Sequence, residues 1–244
     1  MEDLGRQVLV TCEHASNRLP EGCELASHLR QRHIAWDPGA LPIAEALASS
    51  FKAPIWKGEY SRLLVDLNRT VGNRVLMRRV SDGHRISFNY GLSAADRRDR
   101  IERYYRPYRD GVARHARRII ARNGHCLHIS VHTFTPALKG TVRRNDIGLL
   151  HDPRWGIERQ VCVQLRQYLL GATGLVVWFN RPYSGTADGI LPAMRAALSP
   201  ERFVGIEIEV NQRFADNPVA LAEIAEQIAT GLRRSSALRR GLAI

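Results

Sequence analysis

The chain has 244 residues, of which 44% are hydrophobic and 25% are charged, as in ordinary globular proteins. It contains no run of 18 apolar residues, and residues 1–6 lack the apolar core of a signal peptide, so neither a membrane span nor a secretory leader is expected. The four cysteines are scattered, with no CxxC spacing. We therefore expect a cytoplasmic protein with free thiols.

The formal net charge of +12 has two interpretations. The first is attraction to anions, from acidic metabolites to nucleic acid. The second is a solvated arginine-rich surface. The second is favoured because most arginines fall on helical stretches that lack an aromatic or glycine-rich RNA-binding pattern. A nucleic-acid partner is not expected.

The first predicted strand covers residues 7–12 and runs directly into a polar loop that contains His14. Ligands of open α/β sheets bind outside the carboxyl ends of the strands, which would place His14 at a site. Taken alone, His14 is better explained as a loop histidine with a structural hydrogen bond.

Residues 36–39 predict a turn, followed by a helix with apolar spacing over residues 40–51. Asp37 suits the N-cap of that helix, and Pro38 suits its first position. The carboxylate of Asp37 could equally belong to a site, or serve both purposes.

A second strand is predicted from residue 53, and residues 62–69 predict a further strand. Alternation would place Asp66 and Asn68 on one face. Arg69 then offers a planar fork suited to a carboxylate. The alternative is an Asp–Arg pair on the surface at the end of a strand.

A polar loop over residues 71–90 precedes a long amphipathic helix. Ser93 and Asp96 form an N-terminal capping pattern, and the helix should run to about Asn123. Pro107 should kink or interrupt it.

His132 ends the central predicted strand, an apolar segment that begins near Leu127 and is typical of a strand buried on both faces. Residues 147–151 and 174–180 predict two more strands, with a helix from residue 152 to about 170 between them. The polar loop over residues 180–189 carries Tyr183 and is the best candidate for a lid.

The last predicted strand covers residues 204–210 and places Glu207 and Glu209 on one face. Two buried carboxylates without partners are costly, so an edge strand that faces water is the alternative. A final helix is predicted over residues 217–234. Strands alternate with helices throughout, which predicts one α/β domain over residues 1–244.

Polar groups therefore stand at four predicted strand ends, and together they indicate one pocket. Two imidazoles, a carboxylate and an open position make a catalytic zinc arrangement. A free glutamate nearby would be the general base for the attacking water.

The sequence resembles the N-formylglutamate amidohydrolases. The resemblance spans roughly residues 8–211 and is carried by residues 12–20, 60–69, 130–133, 180–185 and 205–208. The layout is more distantly similar to the zinc carboxypeptidases and aspartoacylases. This implies a mixed, mostly parallel sheet between helices, as in their three-layer sandwich.

The resemblance also implies roles for individual residues. His14 and His132 would be metal ligands, and Glu207 would be the base, with Glu209 as the alternative. Substrate binding would use the following residues: Asn68 and Arg69 on the α-carboxylate, Arg62 at the oxyanion, and Tyr183 as a cover over the substrate.

One position departs from the carboxypeptidase pattern. Where that group has a glutamate three residues after the first histidine, this chain has Asn17. Asp37 is the preferred third ligand and Glu13 the second choice. One divalent ion, with zinc as the first choice, is expected, although ligand types do not name the metal.

The function implied is a metal-dependent amidohydrolase of small acidic N-acyl amino acids. Its reference reaction converts N-formyl-L-glutamate and water to L-glutamate and formate. Two alternatives remain: a peptidase or peptidoglycan amidase on the same scaffold, and a non-catalytic basic protein that binds anions or nucleic acid.

Overall fold

A computed structural model describes residues 4–241. Residues 1–3, which begin the segment considered above for a leader, lie outside the described residues, as do residues 242–244. The strands, in chain order, are β1 (Val8–Cys12), β2 (Ile55–Lys57), β3 (Val80–Ser81), β4 (His84–Arg85), β5 (Cys126–Phe134), β6 (Ala137–Leu138), β7 (Thr141–Val142), β8 (Ile147–Leu150), β9 (Val177–Phe179) and β10 (Phe203–Asn211). The α-helices are α1 (Ser27–Arg30), α2 (Ala40–Phe51), α3 (Ala94–Arg100), α4 (Arg106–Asn123), α5 (Gly156–Thr173), α6 (Ile190–Ala197), α7 (Pro218–Arg234) and α8 (Ser236–Gly241).

Six strands form one sheet in the order β2-β1-β5-β10-β8-β9, while β3–β4 and β6–β7 are separate two-stranded ribbons. Only the β8–β10 pairing in this sheet is antiparallel, which confirms the predicted mixed, mostly parallel sheet. β10 lies between β5 and β8, so the alternative of an edge strand for Glu207 and Glu209 is wrong. In the β5–β10 register, Glu207 pairs with Ser130 and Glu209 with His132.

The two faces of the sheet differ in chemistry. One face is apolar, with Ile129 and Ile206 packed in a core that α2, α5 and α7 cover. The other face begins apolar with Leu9 and Phe203, which pack against α4 and α6. Further along the strands it turns polar, and His128 is buried there with its Nε2 2.9 Å from Thr11 Oγ1. Helices on both faces form the three layers that the resemblance implied.

The segment over residues 62–69 is not a strand, contrary to the prediction; it is a run of turns. Its backbone groups find partners outside any sheet. Arg100 donates to the Leu64 carbonyl and Arg109 to the Leu67 carbonyl, while the Asp66 N–H donates to the Leu76 carbonyl. Because these groups are already paired, the segment can follow an irregular path around the site.

The helix predicted from Ser93 begins with the expected capping box to Asp96. It is interrupted by a π-helical stretch, Ile101–Tyr105, directly before α4, in whose first turn Pro107 lies. The interruption predicted at the proline is therefore confirmed. Gly124, with φ 83°, ends α4 in a conformation that suits glycine.

The helix predicted over residues 40–51 is confirmed as α2, but the N-cap and first position predicted for it are wrong, and so is the helix start predicted at residue 152. α2 begins at Ala40 after Gly39, so Pro38 precedes the helix and the side chain of Asp37 does not cap it. α5 begins at Gly156, after a turn at Asp152 whose N–H donates to Glu158. Short α6 was not predicted. Within residues 4–241, no helix is long and apolar enough to cross a membrane.

Candidate metal centre and active site

A cavity of about 420 Å³ opens at the carboxyl ends of β1, β5 and β10, which is within the usual size range for small-molecule sites. Its walls contain every residue that was the first choice for a role in the site. These are His14, Asp37, Arg62, Asn68, Arg69, His132, Tyr183 and Glu207, with Glu209 beside them.

The centre of the site is a buried triad of His14, Asp37 and His132. One Asp37 carboxylate oxygen, Oδ2, lies 3.2 Å from His14 Nδ1 and 2.8 Å from His132 Nδ1. One potential ligand atom from each residue falls within 4.8 Å of the others. The turn before α2 therefore directs Asp37 to the site rather than to the helix end.

Two further carboxylates hold the opposite edges of the imidazoles. Asp66 Oδ1 lies 2.7 Å from His14 Nε2, and Glu13 Oε2 lies 2.9 Å from His132 Nε2. The buried Ser130 hydroxyl also donates to Glu13, at 2.7 Å. Each histidine thus has one nitrogen towards Asp37 and one towards an orienting carboxylate.

Arg62 joins two of these carboxylates. Its Nη1 donates to Asp37 Oδ1 at 3.2 Å, and its Nη2 donates to Asp66 Oδ2 at 3.0 Å. Burial opposes ionisation of Asp66, but Arg62 and then His14 outweigh it and hold the pKa of Asp66 well below its usual range. Because both terminal nitrogens of Arg62 are engaged, its role at an oxyanion stays a prediction.

The buried ion pairs fix the charges around His132. Burial disfavours the charged ring, but the hydrogen bonds to Asp37 and Glu13 raise the pKa of His132 well above its ordinary value. Against burial, the hydrogen bond from His132 lowers the pKa of Glu13 to about 2. The Asp37 and Glu13 carboxylates therefore strongly favour a positive charge at His132, which lies between them.

The two glutamates of β10 have different environments. Glu209 is buried, and its Oε2 has no partner among residues 4–241. Burial, followed by repulsion from Glu207 and Asp37 and opposed by His132, raises the pKa of Glu209 to about 8. Glu207 is only partly buried, and its Oε2 lies 3.5 Å from Asn68 Nδ2.

Asn68 and Arg69 connect the site to the loop over residues 180–189. Asn68 Oδ1 accepts from the Ile190 N–H at 2.7 Å, while its Nδ2 points towards His132 at 3.3 Å. Arg69 Nη1 donates to the Asn68 carbonyl at 2.6 Å and to the Asp188 carbonyl at 2.8 Å. The carboxylate clamp assigned to this pair stays a prediction.

The predicted lid loop is anchored at several points. Asn180 Oδ1 accepts from the N–H groups of His151 and Gly185, and the Gly185 carbonyl accepts from Arg195 at 2.7 Å. Arg195 is itself paired with the buried Glu158. Tyr183, by contrast, is 43% exposed, and its hydroxyl accepts from Arg143 Nη1 at 3.3 Å.

Asn17, the residue at the departure from the carboxypeptidase pattern, does not line the cavity. Asp37 instead brings its carboxylate to both histidines, whereas Glu13 contacts His132 but not His14. Sequence reasoning did not assign Asp66 a role of its own. The sequence did place Asp66 beside the site, because its carboxylate lies two residues before Asn68 on the same predicted face.

The donor set fits a divalent metal. Proteins commonly hold catalytic zinc with imidazoles and a carboxylate, as His14, His132 and Asp37 would here. They also commonly place a carboxylate on the second nitrogen of each imidazole, as Asp66 and Glu13 do. Without an ion, the same atoms form a hydrogen-bonded cluster around Asp37. His14, Asp37 and His132 are the residues that could hold the metal.

Fold and site together define an α/β enzyme built for hydrolysis. The model of one family, N-formylglutamate amidohydrolase, matches residues 6–215. The chain therefore belongs to the N-formylglutamate amidohydrolase family and is a hydrolase that acts on an amide bond, which confirms the resemblance stated above. The sequence has no significant match among the curated proteins.

Two solved structures are similar to this chain. A gene product of Agrobacterium tumefaciens is 29% identical, with a TM-score of 0.84, over 96% of this chain and 91% of that chain. An N-formylglutamate amidohydrolase from Ralstonia eutropha JMP134 is 20% identical, with a TM-score of 0.69, over 96% of this chain and 94% of that chain. The second likeness shows the fold alone.

Proposed function

We propose that this chain is a metal-dependent enzyme that hydrolyses N-formyl-L-glutamate to L-glutamate and formate. The observation that carries the proposal is the convergence of His14 and His132 on one oxygen of Asp37. We assign these three residues as ligands of one divalent ion, with Zn²⁺ as the first candidate. The cytoplasm remains the proposed compartment.

The chemistry divides between the ion and the chain. When bound, the ion would polarise the formyl carbonyl and lower the pKa of a water molecule. Glu207 takes a proton from the attacking water as it adds to the formyl carbon. Glu207 then returns that proton to the amine nitrogen as the C–N bond breaks.

The substrate is held by the opposite wall of the cavity. Asn68 and Arg69 bind the α-carboxylate, and Tyr183 closes over the bound molecule. Glu13 and Asp66 keep the two imidazoles in their orientation. Arg62 holds Asp37 and Asp66 in place, and we retain it as the candidate contact for the developing oxyanion.

The deciding experiment measures metal content and formate release on the same preparation. The purified protein should contain close to one divalent ion per chain. It should release formate from N-formyl-L-glutamate and lose that activity when a chelator removes the ion. A metal-free protein that stays inactive with every added divalent ion would overturn the proposal.

A further inference from the structure

Arg78 is a partly buried cation on the wall of the cavity. Its Nε is shielded from solvent and has no acceptor. No residue in the described range 4–241 forms an ion pair or a hydrogen bond with its guanidinium. A shielded donor of a charged group is costly to leave unpaired, so this arrangement is unusual for a purely structural arginine.

The backbone at Arg78 is fixed rather than loose. Leu76 and Met77 precede it and are buried in the core. The Leu76 carbonyl accepts from the Asp66 N–H, and the Arg78 carbonyl accepts from Asn89 Nδ2 at 2.6 Å. The backbone position from which the Arg78 side chain reaches the cavity is therefore set by the fold of the site itself.

The neighbouring arginines of the cavity have protein contacts that the Arg78 guanidinium lacks. Arg62 gives both terminal nitrogens to carboxylates, and Arg69 gives Nη1 to two carbonyls. Burial, and then repulsion from Arg62, lowers the pKa of Arg78 from its ordinary value. An anion placed beside Arg78 would supply the missing counter-charge.

We infer that Arg78 binds the side-chain carboxylate of the substrate and so selects N-acyl amino acids that carry two carboxylates. This inference rests on the proposed function, in which Asn68 and Arg69 hold the α-carboxylate. Arg69 and Arg78 line the same cavity as separate cations, which matches a dianionic substrate. Arg78 is thus a specificity-determining residue.

The test compares N-formyl-L-glutamate with N-formyl-L-glutamine, which has the same shape and lacks the second charge. Arg78→Met in the metal-loaded enzyme should lower kcat/KM for the glutamate substrate about 10- to 100-fold, mainly through KM. It should change the glutamine substrate less than about threefold. Arg79→Met removes the same charge from the exposed neighbouring side chain and should leave both substrates unchanged.

Equal losses on the two substrates, or no loss on either, would overturn the assignment of Arg78. If wild-type enzyme hydrolyses neither substrate, the proposed function fails instead. The role of Arg78 can then still be tested by calorimetry, which measures how tightly the metal-loaded protein binds glutarate, with two carboxylates, and butyrate, with one. Arg78→Met should weaken glutarate selectively, and unchanged glutarate affinity would contradict the inference.

Discussion

His14 and His132 meet edge to face, with ring centroids 4.7 Å apart and ring planes inclined by 65°. One follows β1 and the other lies near the end of β5, so the sheet brings them together from distant parts of the chain. Both rings turn Nδ1 towards Asp37. Their Nε2 atoms reach Asp66 and Glu13, which makes the two imidazoles and three carboxylates one connected unit.

Removal of one imidazole should abolish stoichiometric metal binding. His132→Ala deletes a proposed ligand and leaves Asp37 and Glu13 without their shared partner. Elemental analysis after dialysis should find less than about a tenth of the wild-type metal, since two remaining ligands hold an ion poorly. The exposed His28 provides the control, and His28→Ala should retain full metal content. A folded His132→Ala protein with wild-type metal content would exclude His132 as a ligand.

The carboxylate behind His14 should affect metal affinity without being a ligand. Asp66→Asn keeps the size of the side chain but removes the anionic acceptor from Nε2. Metal affinity, measured by competition with a chelator, should fall about 10- to 100-fold. Asp99→Asn removes a carboxylate from an exposed pair with Arg103 and should have no effect. Equal affinities for the two variants would show that Asp66 does not support the centre.

Glu207 and Glu209 should respond differently to the same substitution. Glu207 is the more accessible carboxylate, and Glu207→Gln should retain metal but lower kcat about 10²- to 10⁴-fold. In the metal-free protein the pKa of Glu209, raised to about 8 chiefly by burial, keeps this group neutral at pH 7. Glu209→Gln keeps the size of this buried side chain and should remain active. An inactive Glu209→Gln beside an active Glu207→Gln would reverse the choice of base.

His128 should make the protein sensitive to acid. Burial lowers the pKa of His128 from 6.5 to about 4 in the folded chain. Between these two values the unfolded chain binds a proton that the folded chain does not. Stability is therefore present above pH 6.5 and is lost as the pH falls towards 4, by at most about 3 kcal/mol.

The measurement compares urea unfolding of wild type and His128→Gln, both with chelator, at pH 7 and pH 4. The stability of wild type relative to the variant should fall by about 3 kcal/mol across that range. His28→Gln replaces an exposed ring and is the matched control variant. A constant difference between wild type and His128→Gln would contradict the assignment.

The strand ends were predictable because local patterns report them. The central strand that ends near His132 has an apolar residue at every second position from Leu127 to Val131, and Glu207 and Glu209 follow strict alternation. These patterns depend only on neighbouring residues. They were enough to place both histidines and the two glutamates at one edge of a sheet.

The path of residues 62–69 could not be predicted in the same way. Its apolar and polar residues alternate as in a strand, but its carbonyls are capped by Arg100 and Arg109, which are distant in sequence. No local pattern reports such partners. Arg78 shows the same limit, since the polar stretch around it also contains Arg74 and Arg79, and only the fold turns Arg78 into the cavity.

The anchoring of residues 180–189 has a consequence for how the cavity exchanges its contents. Asn180 accepts from the His151 N–H, and Asp188 accepts from Asn73 and from the Thr70 N–H, so both ends of the loop are held. Between them, Tyr183 is exposed, and its hydrogen bond with Arg143 must break before the side chain changes rotamer. We expect access to the cavity to be controlled by rotation of the Tyr183 side chain rather than by movement of the whole loop. Small molecules could then pass at the picosecond-to-nanosecond pace of exposed side-chain motion.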